Sequence, residues 1–299
     1  MGRELAALYP VARETFDEAD DALGYELSQL CFEGPEEQLK LTEITQPAIL
    51  TVSVAAWRVL QSKAIAPSYV AGHSLGEYSA HVAAGTLSFT DAVRTVRNRG
   101  KYMQEAVPVG VGAMAAVLAL ASDEVQQICE EAAQGEVSQA ANLNSPEQTV
   151  ISGSKGAVER AVEMTKKRGA KRAIMLPVSA PFHCALMQPA QDRLAEDLRA
   201  LAFHTPQVPV MCNVDAMLVT TAEQAREALI RQVTGSVQWD KSMRALAALG
   251  VQNFVEVGPG KVLCGLMRQI DRSRTCLNVD DETSLQKMLN HFSPASPKD

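Results

Sequence analysis

The stretch Val70-Ala-Gly-His-Ser-Leu-Gly-Glu-Tyr-Ser-Ala80 decides how this chain is read. Within it, Gly72-His-Ser-Leu-Gly76 has the glycine-x-serine-x-glycine spacing. Where that pentapeptide follows a strand and opens a helix, the turn is tight enough to leave the serine hydroxyl exposed. The apolar run 68–72 reads as the strand, and Glu77 towards Ala84 reads as the helix. Ser74 is therefore the candidate nucleophile. The helix N-terminus favours a developing oxyanion through its dipole and free N–H groups, and the N–H of Leu75 is the natural donor. The pentapeptide alone does not say whether the acyl group goes to water or to another acceptor.

A serine nucleophile requires a base. Of the five histidines, His73 adjoins the serine, and neighbours on such a turn point apart. His81 lies on the following helix and reads as structural, while His204 and His291 sit in polar contexts. His183, in Val178-Ser-Ala-Pro-Phe-His-Cys-Ala-Leu186, falls between a strand and a helix, where α/β folds keep their sites. By elimination it is preferred as base over a loop histidine without a role. No third acid presents itself. Asp91, Asp123, Glu124 and Glu159, between Ser74 and His183, read as helix-face or capping charges, so a Ser–His dyad oriented by something other than a carboxylate fits better.

Two basic features allow two readings each. Arg94, Arg97, Arg99 and Lys101 crowd one helix end, either as a solvated face or with Arg99 turned inward as a bidentate fork for a substrate carboxylate. Lys166-Lys-Arg168 with Lys171-Arg172 reads first as a helix C-terminus complementing its dipole, and second as a docking patch for an acidic partner. Gly258-Pro-Gly260-Lys261 lacks phosphate-loop spacing and reads as a strand-to-helix turn.

The whole chain sets bounds. Its 299 residues suggest about two domains, or one large domain with an insertion. A net charge of −7 argues against nucleic acid as a partner. The longest apolar run, 48–57, is too short to span a bilayer, so no membrane role is expected. Six scattered cysteines, with no Cys-x-x-Cys pair and no zinc spacing, fit free thiols in a reducing cytoplasm.

Periodicity divides the chain further. Helices are expected over 3–24, with Leu5, Leu8, Val11, Phe16 and Leu23 on the apolar side, and over 46–61, opened by Gln46-Pro47. A helix over 90–105 has Thr90 as its N-cap. Then come strand 113–120, helix 122–134 capped by Ser122, strands 137–144 and 149–152, helix 155–168 stopped by Gly169, and strand 171–178. That β-α-β-β-α-β order is the ferredoxin-like unit. The remainder resumes α/β alternation, with strands at 208–213 and 254–257 and helices at 222–233, 241–249 and onward to Ile270. The tail Ser293–Asp299 is expected to fray. The fold class is α/β: a large domain over 1–109 and 179–299 carrying a small inserted one over 110–178.

Taken together, these motifs resemble the malonyl-CoA:acyl carrier protein transacylases of fatty acid synthesis. The likeness runs from Met1 to about Met267 through Thr45-Gln-Pro-Ala48, Gly72-His-Ser-Leu-Gly-Glu-Tyr78, Arg99-Gly-Lys-Tyr-Met-Gln104 and Gly112-Ala-Met-Ala115. It continues through Asn142-Leu-Asn-Ser-Pro146, Pro181-Phe-His-Cys-Ala-Leu-Met187, Val237-Gln-Trp239 and Glu256-Val-Gly-Pro-Gly-Lys261. The resemblance implies an α/β-hydrolase-like large domain with a ferredoxin-like small one. It implies Ser74 as the acylated nucleophile, His183 as its base, and the backbone carbonyl of Gln232 as the group orienting that base. It implies Arg99 as partner of the malonyl carboxylate and the Leu75 N–H as an oxyanion donor, with His73, Met103, Asn142 and Phe182 along the substrate pocket. Phe182 is similar to the residue of malonyl-selective relatives; branched-substrate relatives tend to carry serine there. The implied substrate is malonyl-CoA and the implied partner an acyl carrier protein bearing phosphopantetheine, with no permanently bound cofactor. One departure stands out. The family begins with a strand and a Gly-Gln-Gly-Ser-Gln loop whose first glutamine gives a second oxyanion donor, whereas this chain starts at Met1-Gly-Arg-Glu. Either the start is displaced or the segment is really lacking; if it is lacking, the expectation is one donor fewer and a central strand without its neighbour, at a cost of about 10²–10³ in rate. The rival readings are a serine esterase or thioesterase and a non-catalytic carrier-binding homologue.

Overall fold

Pro10 has no N–H to donate, and the N-terminal apolar pattern breaks there. In place of one helix over 3–24 the computed structural model has Arg3–Leu8 and Pro10–Leu23. Leu5 and Phe16 are buried, but Leu8 is exposed and Val11 and Leu23 are only partly covered. The structure describes residues 1–178 and 180–292. The expected fraying of 293–299 therefore lies outside the described residues.

The helix expected from Gln46 begins earlier, spanning Thr42–Ser62 with Pro47 inside it rather than in its first turn. Leu50, Val52, Val54, Ala55, Ala56 and Val59 are buried on every side of it, the mark of a core helix. Helix Phe89–Glu105 crosses it closely because Gly100 has no side chain; an added Cβ there would lie 2.5 Å from the Thr42 carbonyl oxygen. The N-cap of Phe89–Glu105 is Ser88, whose hydroxyl accepts from the Asp91 N–H, and Thr90 instead donates to Glu18. Ser122 is likewise the first helical residue of Ser122–Ala133 rather than its cap.

Among the described residues three sheets carry the strands. β1 (Val70–Ala71) is followed in the chain by β2 (Gly112–Leu118), β3 (Ser138–Ser145), β4 (Gln148–Ser154) and β5 (Arg172–Met175). Then come β6 (Val210–Met211), β7 (Leu218–Val219), β8 (Asn253–Val257) and β9 (Thr275–Val279). β1 lies parallel to β6, which pairs antiparallel with β7, and β8 lies parallel to β9. β2 to β5 form an antiparallel sheet in the order β3-β4-β2-β5, covered by helices Ser122–Ala133 and Lys155–Lys167. This segment has its own apolar core, in which Val117, Val125, Ile128, Ile151, Val158 and Ala161 meet. The architecture is mixed α/β. The strands foreseen at 68–72 and 208–213 are shorter, and β7, β9 and helix Glu282–Phe292 were not foreseen.

Two further findings bear on the sequence reading. Cys264, in helix Val262–Ile270, forms a disulfide with Cys276 of β9, which corrects the expectation of free thiols throughout. A twelve-residue spacing outside any motif carries no signal of such a bond. Among the described residues no helix is long and apolar enough to cross a membrane.

The β2–β5 segment meets the rest of the chain beside the candidate base. Gly112 opens β2 directly against Pro181, where a Cβ would come within 2.3 Å of the ring. β3 takes up the segment before Trp239: Leu143 N–H donates to Val237 O at 2.9 Å and Val237 N–H to Ala141 O at 2.8 Å. Gly100→Ala is expected to lose about 1–3 kcal/mol in urea denaturation, because its Cβ meets backbone that cannot yield. Gly265→Ala, in helix Val262–Ile270 with open space around it, should be neutral or gain up to about 1 kcal/mol.

Candidate active site

The chain leaves β1 through Gly72 and turns so sharply that a Cβ at this position would fall 1.9 Å from the Gly76 carbonyl. Gly76 has open space, so only the first glycine of the pentapeptide is sterically required. Ser74 sits at the apex with φ 51°, a left-handed backbone that costs on the order of 1–3 kcal/mol for a residue with a side chain. Asn213, just beyond β6, clamps this turn from both sides. Its Oδ1 accepts the Ser74 N–H at 2.6 Å and its Nδ2 donates to Gly72 O at 2.7 Å. Helix Gly76–Ala83 follows. Among the described residues the Leu75 N–H at its entrance has no partner and stands next to the hydroxyl-bearing residue.

His183 reaches Ser74 from the loop after β5, with Nε2 2.7 Å from Oγ. It too has a left-handed backbone, φ 58°, and is buried. Its Nδ1 faces two backbone carbonyls, Gln232 at 2.9 Å and Gly235 at 3.2 Å. Carbonyls only accept, so Nδ1 carries the proton and Nε2 presents its lone pair to the serine O–H. Burial, with the Arg99 guanidinium nearby, pushes the imidazole down to about 3, so the ring is neutral across the physiological range.

Arg99, in helix Phe89–Glu105, is turned inward and 2 % exposed. Its Nη1 donates to Gln46 Oε1 at 2.7 Å, and its Nη2 donates to Gln232 Oε1 at 2.9 Å and to Ser74 Oγ at 3.2 Å. All three acceptors are neutral oxygens. The other members of the cluster remain on the surface: Arg94 donates to Ala22 O and Arg97 stacks on Tyr25. Of the two readings of Arg99, the inward one describes its position.

Acyl transfer through a serine uses a hydroxyl, a neutral imidazole on it and an N–H donor beside it, and this site adds a fixed cation within reach. The chain matches the acyl transferase domain over residues 1–291. This protein belongs to that family. It is 52 % identical to the malonyl CoA-acyl carrier protein transacylase of Escherichia coli strain K12 over 97 % of this chain and 94 % of the relative. The Bacillus subtilis protein of that name is 47 % identical over 96 % and 90 %. Among solved structures, the malonyl CoA-acyl carrier protein transacylase of Coxiella burnetii superposes with a TM-score of 0.96 at 45 % identity, covering 98 % of this chain and 93 % of that one. A malonyl-transacylase solved in complex with a type II polyketide acyl-carrier protein reaches 0.95 at 48 % identity, covering 97 % and 94 %.

The remaining expected pocket residues of this acyltransferase take different positions. His73 has its Nε2 2.8 Å from Asn144 Oδ1 and its ring against Trp239. Burial lowers its proton affinity. Met103 is buried with its sulfur 4.0 Å from Gln46 Nε2. Phe182 packs with Met114, Ala141 and Val150 beside His183. Asn142 bridges to Val237, and its Oδ1 is buried without a partner among the described residues. His81 is buried and pushed down to about 3, His204 and His291 are exposed, and none of the three touches the site. The turn Gly258-Pro-Gly260 leads from β8 into Val262–Ile270, whose first N–H groups are taken by the Glu256 carboxylate, so no anion site remains there.

Sequence reasoning missed Asn213, Glu77 and the side chain of Gln232. Gln232 Nε2 donates to Ser74 O at 2.8 Å and to Glu77 Oε2 at 2.7 Å. Only the Glu77 position, inside the quoted motif, offered a signal. Burial raises the Glu77 carboxyl from 4.5 to about 7. A raised acid favours the fold while protonated, and that contribution fades as pH climbs through about 7. Glu77→Gln, which has no proton to lose, should therefore gain stability over the native chain on going from pH 5 to pH 8, by on the order of 2 kcal/mol at about 1.4 kcal/mol per tenfold change in affinity. Chemical denaturation at the two pH values checks this, and an equal difference at both would exclude it.

Proposed function

We propose that this acyltransferase moves a malonyl group from malonyl-CoA to the phosphopantetheine thiol of an acyl carrier protein, through a malonyl-serine, supplying malonyl-carrier for fatty acid synthesis. The observation that carries the reading is the Arg99 guanidinium, buried among neutral acceptors and 3.2 Å from the Ser74 hydroxyl. A cation held there without a carboxylate partner is set to receive one from the acyl group, by a paired hydrogen bond that acetyl cannot make.

His183 Nε2 takes the Ser74 proton as Oγ attacks the thioester carbonyl carbon. The oxyanion accepts from the Leu75 N–H. The C–S bond breaks, and the CoA thiolate leaves with the proton from Nε2. The phosphopantetheine thiol then gives its proton to Nε2 and attacks the serine ester. The C–Oγ bond breaks, and Oγ recovers the proton. Two carbonyls hold the base through both halves, where a hydrolase triad would use a carboxylate. That difference, with Arg99, supports transfer over a serine esterase.

The fold is proposed as an α/β-hydrolase-like body over 1–109 and 179–299 carrying a ferredoxin-like insertion over 110–178. The order β3-β4-β2-β5 with two covering helices supports the second part, and the parallel pairing of β1 with β6 at the serine turn supports the first.

Incubation with radiolabelled malonyl-CoA should leave one labelled serine, and Ser74→Ala should leave none; label persisting in that variant would sink the assignment. Arg99→Ala should keep acyl-enzyme formation from acetyl-CoA while losing malonyl transfer by about 10²-fold or more, as expected for a missing charged hydrogen-bond pair. An unchanged malonyl-to-acetyl ratio would refute the role of Arg99.

A further inference from the structure

Glu77 is a carboxyl group wholly inside the protein (0 % exposed), one turn beyond the nucleophile. A carboxylate in the first turn of a helix commonly caps that helix, but this one does not. Its Oε2 accepts from the Asn213 N–H at 3.2 Å and from Gln232 Nε2 at 2.7 Å. These donors lie 136 and 155 residues further along the chain. Both are already tied to the chemistry. Asn213 clamps the Ser74 turn through its side chain. Gln232 holds His183 Nδ1 with its backbone carbonyl and Arg99 Nη2 with its side-chain carbonyl.

We infer that Glu77 is a positioning residue: one carboxyl oxygen, by holding Asn213 and Gln232 together, sets the nucleophile turn, the base and the guanidinium in a single register. The side-chain amide of Gln232 is the critical link. With Nε2 fixed on Glu77 and on Ser74 O, its Oε1 has one orientation, and that orientation faces Arg99. Without the carboxyl group, the amide keeps only Ser74 O for its Nε2, and Arg99 has a less firmly held acceptor. The Asn213 N–H is left buried and unpaired as well. Glutamine in place of Glu77 keeps an acceptor for both donors.

This inference rests on the roles proposed for Ser74, His183 and Arg99, and its failure is distinguishable from theirs. Loss of the serine reading shows in Ser74→Ala alone. The test here compares Glu77→Leu, Glu77→Gln, Gln232→Leu and the double variant Glu77→Leu/Gln232→Leu, each checked for a cooperative unfolding transition, by kcat and KM with malonyl-CoA and with acetyl-CoA. Glu77→Leu should lower kcat/KM for malonyl-CoA by about 10²-fold, the scale of a displaced reacting group, and shrink the malonyl preference by about tenfold. Glu77→Gln should recover most of both. Gln232→Leu should reproduce the shrunken preference, and the double variant should be no worse than the more damaged single one. A folded Glu77→Leu with native rate and native preference overturns the inference. So does a loss of rate with the malonyl-to-acetyl ratio intact, or full additivity in the double variant. Should Glu77→Leu not fold, Gln232→Leu decides: native preference in that variant overturns the inference, because the amide that Glu77 holds would then not matter to recognition.

Discussion

A guanidinium stripped of water has to be met by oxygen atoms that stay still, and much of this site follows from meeting the needs of Arg99. Taking such a cation inside costs several kcal/mol unless its hydrogen bonds are made good. The acceptors come from separate parts of the chain: Gln46 from the core helix Thr42–Ser62, Gln232 from the end of Ala222–Gln232, and Ser74 from the turn after β1. The Tyr78 ring lies 5.7 Å away. The helix that carries Arg99 approaches the core helix only because position 100 is glycine. Satisfying one charge therefore gathers four segments around one hydroxyl.

The same charge explains why the base is built as it is. A carboxylate behind His183 would stand close to Arg99 and compete for it. Backbone carbonyls orient the ring equally well and carry no charge. The imidazole then feels burial and a nearby cation, both of which oppose protonation, and it waits as a neutral acceptor. The positive charge it acquires in the reaction is balanced by what forms beside it, the oxyanion or the leaving thiolate. Electrostatic preorganisation here means that no carboxylate hydrogen-bonds Arg99 in the resting site, and the substrate brings one.

Much of this was legible in the sequence where local chemistry sets the outcome. The serine turn, the histidine loop, Gly169 as a helix stop and the order of elements from β2 to β5 all rest on short-range rules. The misses have physical reasons. Thr90 looked like a cap, but Ser88, two positions earlier, accepts the Asp91 N–H. Pro47 looked like a helix start, yet tertiary packing carries the helix back to Thr42. β9 pairs with β8 across a whole helix and the disulfide ties that helix to β9, so neither link has a local signature. Asn213 and the side chain of Gln232 are polar residues at the ends of ordinary elements. Their importance comes from what lies opposite them, and a single sequence does not contain that.

The join between β3 and Val237 sits only five residues beyond Gln232 and two beyond Gly235, the residues whose carbonyls hold the imidazole. On the other flank, Gly112 bears on Pro181, two residues before that imidazole. The β2–β5 segment thus grips the base from both sides, through the chain that carries it and the chain that orients it. Its sheet is a mechanical brace. A shift of this sheet would therefore be felt at the proton acceptor, through Pro181 on one side and Val237 on the other.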